Sequence, residues 1–209
     1  MCARPHAPTA DYAETVARGP VTGDEKVDRQ EQILEAALSL LAEQGISGVS
    51  MRAVARRAGV ALGLVHYYFD DKSALIAAAL RRVESMDLAI VEPDTELPAT
   101  EQVIKALHRI ADPEFLTTDY LSLRLQLWAL ARAHSEYEEI NTTAQRRYRG
   151  GLASLIAAAR PGLNTSECDR RAADINVVQN GMWLTALLGL DQDSIERSVQ
   201  RTEEIALAD

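Results

Sequence analysis

From Arg29 onward, apolar residues return every three or four positions. Ile33, Ala36, Ala37, Leu40 and Leu41 form one stripe, and Gly45 follows where such a helix would stop. Ser50 stands as an N-cap before Met51, Val54 and Ala55, whose spacing predicts a short second helix ending at Gly59. A third short helix is predicted over residues 62–69. Asp70 or Asp71 then caps a longer fourth one carrying Leu75, Ala78, Ala79, Val83 and Met86. Beyond Pro93 and Pro98 the helical period returns over residues 101–111, 120–134, 137–160, 167–190 and 194–207. No stretch sustains strand alternation, and an aromatic content of 5% is low for a sheet protein. The pattern predicts an all-α chain with an N-terminal three-helix head containing a helix-turn-helix. The fourth helix joins this head to a larger helical body. The divisions expected are a flexible arm over 1–28, the head over 29–72 and the body over 73–209.

The arm is expected because Pro5, Pro8, Gly19, Pro20 and Gly23 punctuate a stretch with few large apolar residues, which cannot offset the entropy of ordering. Arg4, Arg18 and Lys26 are available there to touch a polyanion. The start lacks the apolar block of a secretory signal, and the richest apolar stretch, residues 120–133, is interrupted by Arg124, Gln126 and Arg132. A cytoplasmic protein without a membrane partner is expected. Cys2 and Cys168 give neither a disulfide framework nor metal-ligand spacing, which fits a reducing compartment.

A net charge of −9 sits oddly with a head for DNA, an acidic polymer. Distribution resolves this. Across residues 29–82 the basic residues Arg29, Arg52, Arg56, Arg57, Lys72, Arg81 and Arg82 roughly match the acidic ones, so the surplus of carboxylates falls in the body. With a Debye length of about 8 Å at physiological salt, carboxylates far from a bound duplex are screened. Two short helices around a Gly turn place the second in a major groove while the first crosses the backbone. Val65 and Phe69, four apart, are expected to pack on Ile33, Leu40 and Val54, leaving Leu62, Gly63, His66 and Tyr67 for DNA. Gly63 allows close backbone approach, Leu62 suits a thymine methyl, and His66 and Tyr67 suit base edges or phosphates. Ser50, Arg52, Tyr68 and Lys72 are the expected phosphate contacts.

The stretch MRAVARRAGVALGLVHYYFDDKSAL resembles the DNA-binding head of the TetR family of transcriptional regulators, with Gly59, Val60, Gly63, Tyr68, Phe69, Lys72 and Leu75 in register. VVQNGMWLTALL and the Trp128 region are similar to the body of the choline-sensing BetI branch, where an Asp-Gly-Leu-Trp sequence takes the place of Asn180, Gly181, Met182 and Trp183. The resemblance implies the helix order and a dimeric habit. Three departures bear on affinity. Ala61 replaces a Ser or Thr cap, a loss of about 1 kcal/mol. Leu62 stands where a polar or basic residue is common, and Asp70 and Asp71 add negative charge beside the duplex.

In the body, Tyr120, Arg124 and Trp128 recur every four residues, so a guanidinium can sit between two rings. A buried Arg needs a counter-charge, either a body carboxylate or an anionic or hydrogen-bonding effector. Gln179 and Asn180 beside Trp183 are further candidates for the effector site, since buried amides need partners. The helices over 137–160 and 167–190 carry Gly150, Gly151, Ala153, Ala157, Ala172 and Ala173, which suit close helix approach in a dimer and equally well a core within one chain. His6, His66, His108 and His134 lack Cys or carboxylates at ligand spacing, and no phosphate loop or nucleophile elbow is present, so no enzyme, metal or cofactor is expected. The function expected is a ligand-responsive repressor that binds a palindromic operator on double-stranded DNA as a homodimer and is released by a small-molecule effector. The alternative is a helical small-molecule-binding or protein-interaction module whose head no longer binds DNA.

Overall fold

The computed structural model describes residues 23–189 and 191–208, with side chains from Val27 onward. The regular structure of the described residues is all helical, without strands: α1 Gly23–Gly48, α2 Met51–Ala58, α3 Leu62–Tyr68, α4 Lys72–Ile90, α5 Ala99–Arg109, α6 Thr118–Ala133, α7 Ser135–Ala159, α8 Thr165–Leu187 and α9 Gln192–Leu207. One element escaped the periodicity, a single 3-10 turn at Pro113–Phe115 that buries Phe115. The first helix also starts earlier than expected. It begins at Gly23, so the arm expected over 1–28 loses its last six positions to α1, where no proline interrupts the chain; residues 1–22 lie outside the described residues.

Local chemistry sets the turns of the head. At Gly45 the backbone swings to φ +68°, a left-handed value that glycine adopts without steric cost, so the helical path of α1 breaks there, as expected, and a short helical segment follows up to Gly48. Ser50 caps α2 by accepting from the Ala53 amide at 3.1 Å, and Gly59 ends it in the left-handed region at φ +65°. Ala61 makes no side-chain cap for α3, as its methyl group dictates, whereas Asp71 caps α4 through the Ala74 amide at 2.8 Å. Two contacts clamp α1 to α2. Arg57 binds Glu43 through paired bonds of 2.7 Å, and Gln32 donates to the last carbonyl of α2, that of Ala58. Hydrogen bonds from Arg57 and Ser39 hold the Glu43 carboxyl at about 2.

Two apolar clusters organise the chain. The first gathers Ile33, Leu40, Val54, Val65 and Phe69, as the spacing predicts, and continues through Leu75, Ile76, Leu80 and Val83 of α4. It also takes Leu123, Leu127 and Leu130 of α6, so the core under the head extends well past residue 72. The second lies in the body among Val103, Leu107, Leu152, Ile156, Ile175 and Trp183, closed by α9. Buried Arg171 and half-buried Arg160 donate to carbonyls at the C-terminal end of α9, complementing that end of its dipole and fixing it to α7 and α8.

Candidate functional site

In the head, α2 and α3 present Ser50, Arg52, Gly63, His66 and Tyr67 on exposed positions, with Val65 and Phe69 turned into the core. Tyr67 is 66% exposed and meets Tyr68 edge to face at 5.2 Å, while Tyr68 is half-buried. Gly63 has an ordinary helical φ, and a Cβ added there would meet nothing within 4 Å. Arg56, four residues after Arg52 and equally exposed, was not among the expected contacts; the spacing of the two arginines on one face was the available signal.

Two expected DNA contacts have work inside the chain. Leu62 is half-buried against the head cluster, because the short helix leaves its first turn leaning on the core. The Lys72 ammonium donates to the Ile46 carbonyl at 2.7 Å, tying α4 to the segment beyond the Gly45 kink. Neither residue lies free on the face the spacing suggested.

In the body, the counter-charge for Arg124 is Asp87 of α4. Arg124 Nη1 lies 2.6 Å from both carboxylate oxygens, and the Tyr120 hydroxyl donates to the same carboxylate at 2.6 Å while accepting from Arg124 at 3.1 Å. The guanidinium therefore meets three rings, not two. Its carbon lies 4.2 Å from the centre of the Trp183 ring, 5.4 Å from Trp128 and 5.7 Å from Tyr120. Trp183 is oriented by its own Nε1–H, which donates to the Ile110 carbonyl at 2.9 Å. Burial opposes the charge on Arg124, but Asp87 and Tyr120 outweigh it and raise the guanidinium pKa. Burial also raises the Tyr120 phenol, with Asp87 adding to the effect.

Gln179 is fully buried and accepts from the Tyr148 hydroxyl at 2.9 Å. Three buried polar atoms of the expected effector residues have no hydrogen-bond partner among the described residues: Arg124 Nε, Gln179 Nε2 and Asn180 Oδ1. Cavities of about 30 and 10 Å³ border Arg124 and Trp128. A wider cleft of about 390 Å³ opens between the end of α4 and α5, but it is lined by Glu92, Asp94, Glu96 and Lys105, and a Lys105–Asp94 ion pair lies in it. It collects solvated charges, whereas the buried polar atoms without partners belong to Arg124 on α6 and to Gln179 and Asn180 on α8. Neither Asp87 nor Tyr148 was named from the sequence. Asp87 had a signal, since it continues the apolar register of Leu80 and Val83 along α4.

The small residues of α7 and α8 separate into two kinds. Ala153 and Ala172 are buried within the chain, and a Cβ at Gly151 would strike Val91 Cγ2 at 2.8 Å. Gly150 and Gly181 are exposed helical glycines with nothing within 4 Å of an added Cβ. Gly181 lies in a stripe with Val177, Leu184 and Leu188, all exposed.

Comparison with known proteins agrees with both halves. The family described as bacterial regulatory proteins, tetR family, matches residues 33–79, and the BetI-type transcriptional repressor C-terminal family matches residues 99–206. The HTH-type transcriptional regulator BetI of Proteus mirabilis (strain HI4320) is 24% identical over 181 residues, covering 84% of this chain and 88% of its own. Its namesake in Escherichia coli O45:K1 (strain S88 / ExPEC) is 26% identical over 162 residues, covering 77% and 83%. Among solved structures, a transcriptional regulator from Rhodococcus sp. Rha1 superposes with a TM-score of 0.71 at 24% identity, covering 85% of this chain and 95% of its own. A protein from Saccharomonospora viridis solved in complex with choline gives 0.66 at 21% identity, covering 85% and 95%. No described helix is long and apolar enough to cross a membrane. With its helix-turn-helix head and this body, the chain is a transcription regulator rather than an enzyme, and belongs to the TetR family with a BetI-type repressor C-terminal domain.

Proposed function

We propose that the chain represses transcription as a homodimer on a palindromic operator and is released by a small-molecule effector received around Arg124. The observation that carries the DNA reading is the exposed face of α3, where Gly63, His66 and Tyr67 stand together over a buried Val65. Ser50, Arg52 and Arg56 flank them as phosphate contacts, with Tyr68 and Lys72 supporting the same surface and Leu62 at its edge. One recognition helix supplies too little specificity alone, so two copies read half-sites about 34–36 Å apart. The exposed stripe of α8 and the open glycines of α7 and α8 support a dimer built on those helices.

For the effector, Tyr120, Arg124, Trp128, Gln179, Asn180 and Trp183 form the receiving site. Its unpartnered donors, Arg124 Nε and Gln179 Nε2, suit a ligand that brings an acceptor oxygen. The choline complex of the Saccharomonospora viridis protein supports a small organic ligand in a body of this fold. The cavities beside Arg124 hold only a few tens of Å³, so the effector enters by moving side chains.

A substitution series on the head tests the DNA reading. His66→Ala and Tyr67→Ala should flatten sequence preference, because a good base contact is worth about 1–3 kcal/mol of discrimination. Arg52→Ala should instead weaken all duplexes alike and reduce the salt slope by about one. Unchanged binding in all three variants would favour the module whose head no longer reads DNA.

A further inference from the structure

The rings of Tyr120, Trp128 and Trp183 surround a cation that belongs to the chain itself. Ring faces attract positive charge without needing hydrogen bonds, and several rings with a carboxylate recognise organic cations. All those parts are present around the Arg124 guanidinium: the three rings within 5.7 Å, and Asp87 at 2.6 Å. Arg124 is 5% exposed, so the charge is shut away from solvent. Its side chain also borders both neighbouring cavities. The larger, of about 30 Å³, reaches Val83, Asp87 and Ile140; the smaller, of about 10 Å³, reaches Trp183, Leu184 and Leu187. Arg124 and Trp128 line both, so truncating Arg124 joins them into one aromatic space with Asp87 in its wall.

Resting on the reading that the body receives an effector here, we infer that Arg124 is the built-in occupant of an organic-cation cage and sets specificity by excluding free organic cations. The exclusion has a physical basis. A tethered group competes at an effective concentration that a free ligand must exceed, and the guanidinium also hydrogen-bonds Asp87 and Tyr120, which a quaternary ammonium cannot do. The same occupant joins α6 to α4, so a free cation that took its place would have to break the Asp87 pair first.

Tetramethylammonium chloride tests this, with sodium chloride at equal ionic strength and tert-butyl alcohol as the uncharged control. Thermal unfolding and tryptophan fluorescence of the wild type should respond to tetramethylammonium no more than to sodium. Arg124→Ala should bind it at least ~10-fold more tightly than the wild type, the scale of a desolvated cation-ring contact, and should ignore tert-butyl alcohol. Adding Asp87→Asn should remove the gain. Equal responses of wild type and Arg124→Ala, or an equal response of the variant to the alcohol, would overturn the cage. Should the variant fold only with help, because Asp87 is left buried without a cation, tetramethylammonium and not sodium should supply it. The Arg124 Nε–H resonance of the wild type decides the case whether or not the variant folds. A signal that stays in place as tetramethylammonium is added supports a filled cage, and a saturable shift overturns it. Operator binding by the wild type is read separately, so failure of the cage leaves the DNA reading standing.

Discussion

Gly63 occupies an open helical position where nothing among the described residues calls for a glycine. A helical glycine costs about 0.5–1 kcal/mol against alanine, so its presence on the exposed face of α3 points to something that approaches from outside. Gly63→Ala should therefore raise the stability of the free protein by up to about 1 kcal/mol in denaturant unfolding. The same variant should bind operator roughly tenfold more weakly or worse, the size of one lost base contact. Gain in both stability and affinity would remove Gly63 from the interface. At this scale the sequence was informative about residue types and poor about partners. Periodicity showed that Arg124 needed a counter-charge, yet Asp87 is 37 residues away on another helix, and only the packing of both α4 and α6 on α1 and α7 brings the two together. Leu62 and Lys72 have partners inside the chain that spacing could not show: Leu62 packs on the head cluster and the Lys72 ammonium reaches the Ile46 carbonyl, both set by segments distant in sequence.

Between elements, α4 was expected to be the link from body to head, and it does contribute to both apolar clusters, with Asp87 holding Arg124. A second link was not legible. Helix α6 carries Tyr120, Arg124 and Trp128 of the proposed effector site, and its Gln126 donates to the Leu41 carbonyl of α1 at 2.8 Å, beside the Gly45 kink. A polar residue in an apolar helix gives no sign of which distant carbonyl it will meet. Removing it leaves the carbonyl of fully buried Leu41 without that donor, a cost of about 1–3 kcal/mol. Gln126→Leu should lower stability by that amount and, because α6 bears both the site and this contact, should weaken operator release by effector more than effector binding itself. Wild-type coupling between effector and operator in a folded variant would confine signalling to α4. Helix existence was otherwise well marked, since caps and glycines at Ser50, Gly59 and Asp71 have local causes that the sequence carries within a few residues.

For the whole molecule, the all-α architecture with a small head and larger body followed from the period of the apolar residues, and the family match agrees with it. The dimer surface was ambiguous in sequence because alanines and glycines serve a core and an interface equally. Packing accounts for Gly151, Ala153 and Ala172 within the chain and leaves Gly150 and Gly181 open. Val177 on α8 and Leu188 at its C-terminal cap are 71% and 78% exposed, in line with Gly181, so that face has room for a second copy. Val177→Glu should change the stability of one chain by no more than about 0.5 kcal/mol, as exposed substitutions do, while shifting sedimentation from dimer toward monomer. A variant that remains dimeric would move the interface elsewhere. The central claim is that this acidic chain reads DNA through a locally balanced head. Selection of bound sites from random duplexes, followed by titration of the winner at several salt concentrations, tests it most directly. The account predicts a twofold-symmetric site with half-sites about 10 base pairs apart, two chains per duplex, and affinity that falls steeply with salt. Recovery of no enriched sequence, with binding no stronger than to arbitrary duplex at low salt, would contradict it.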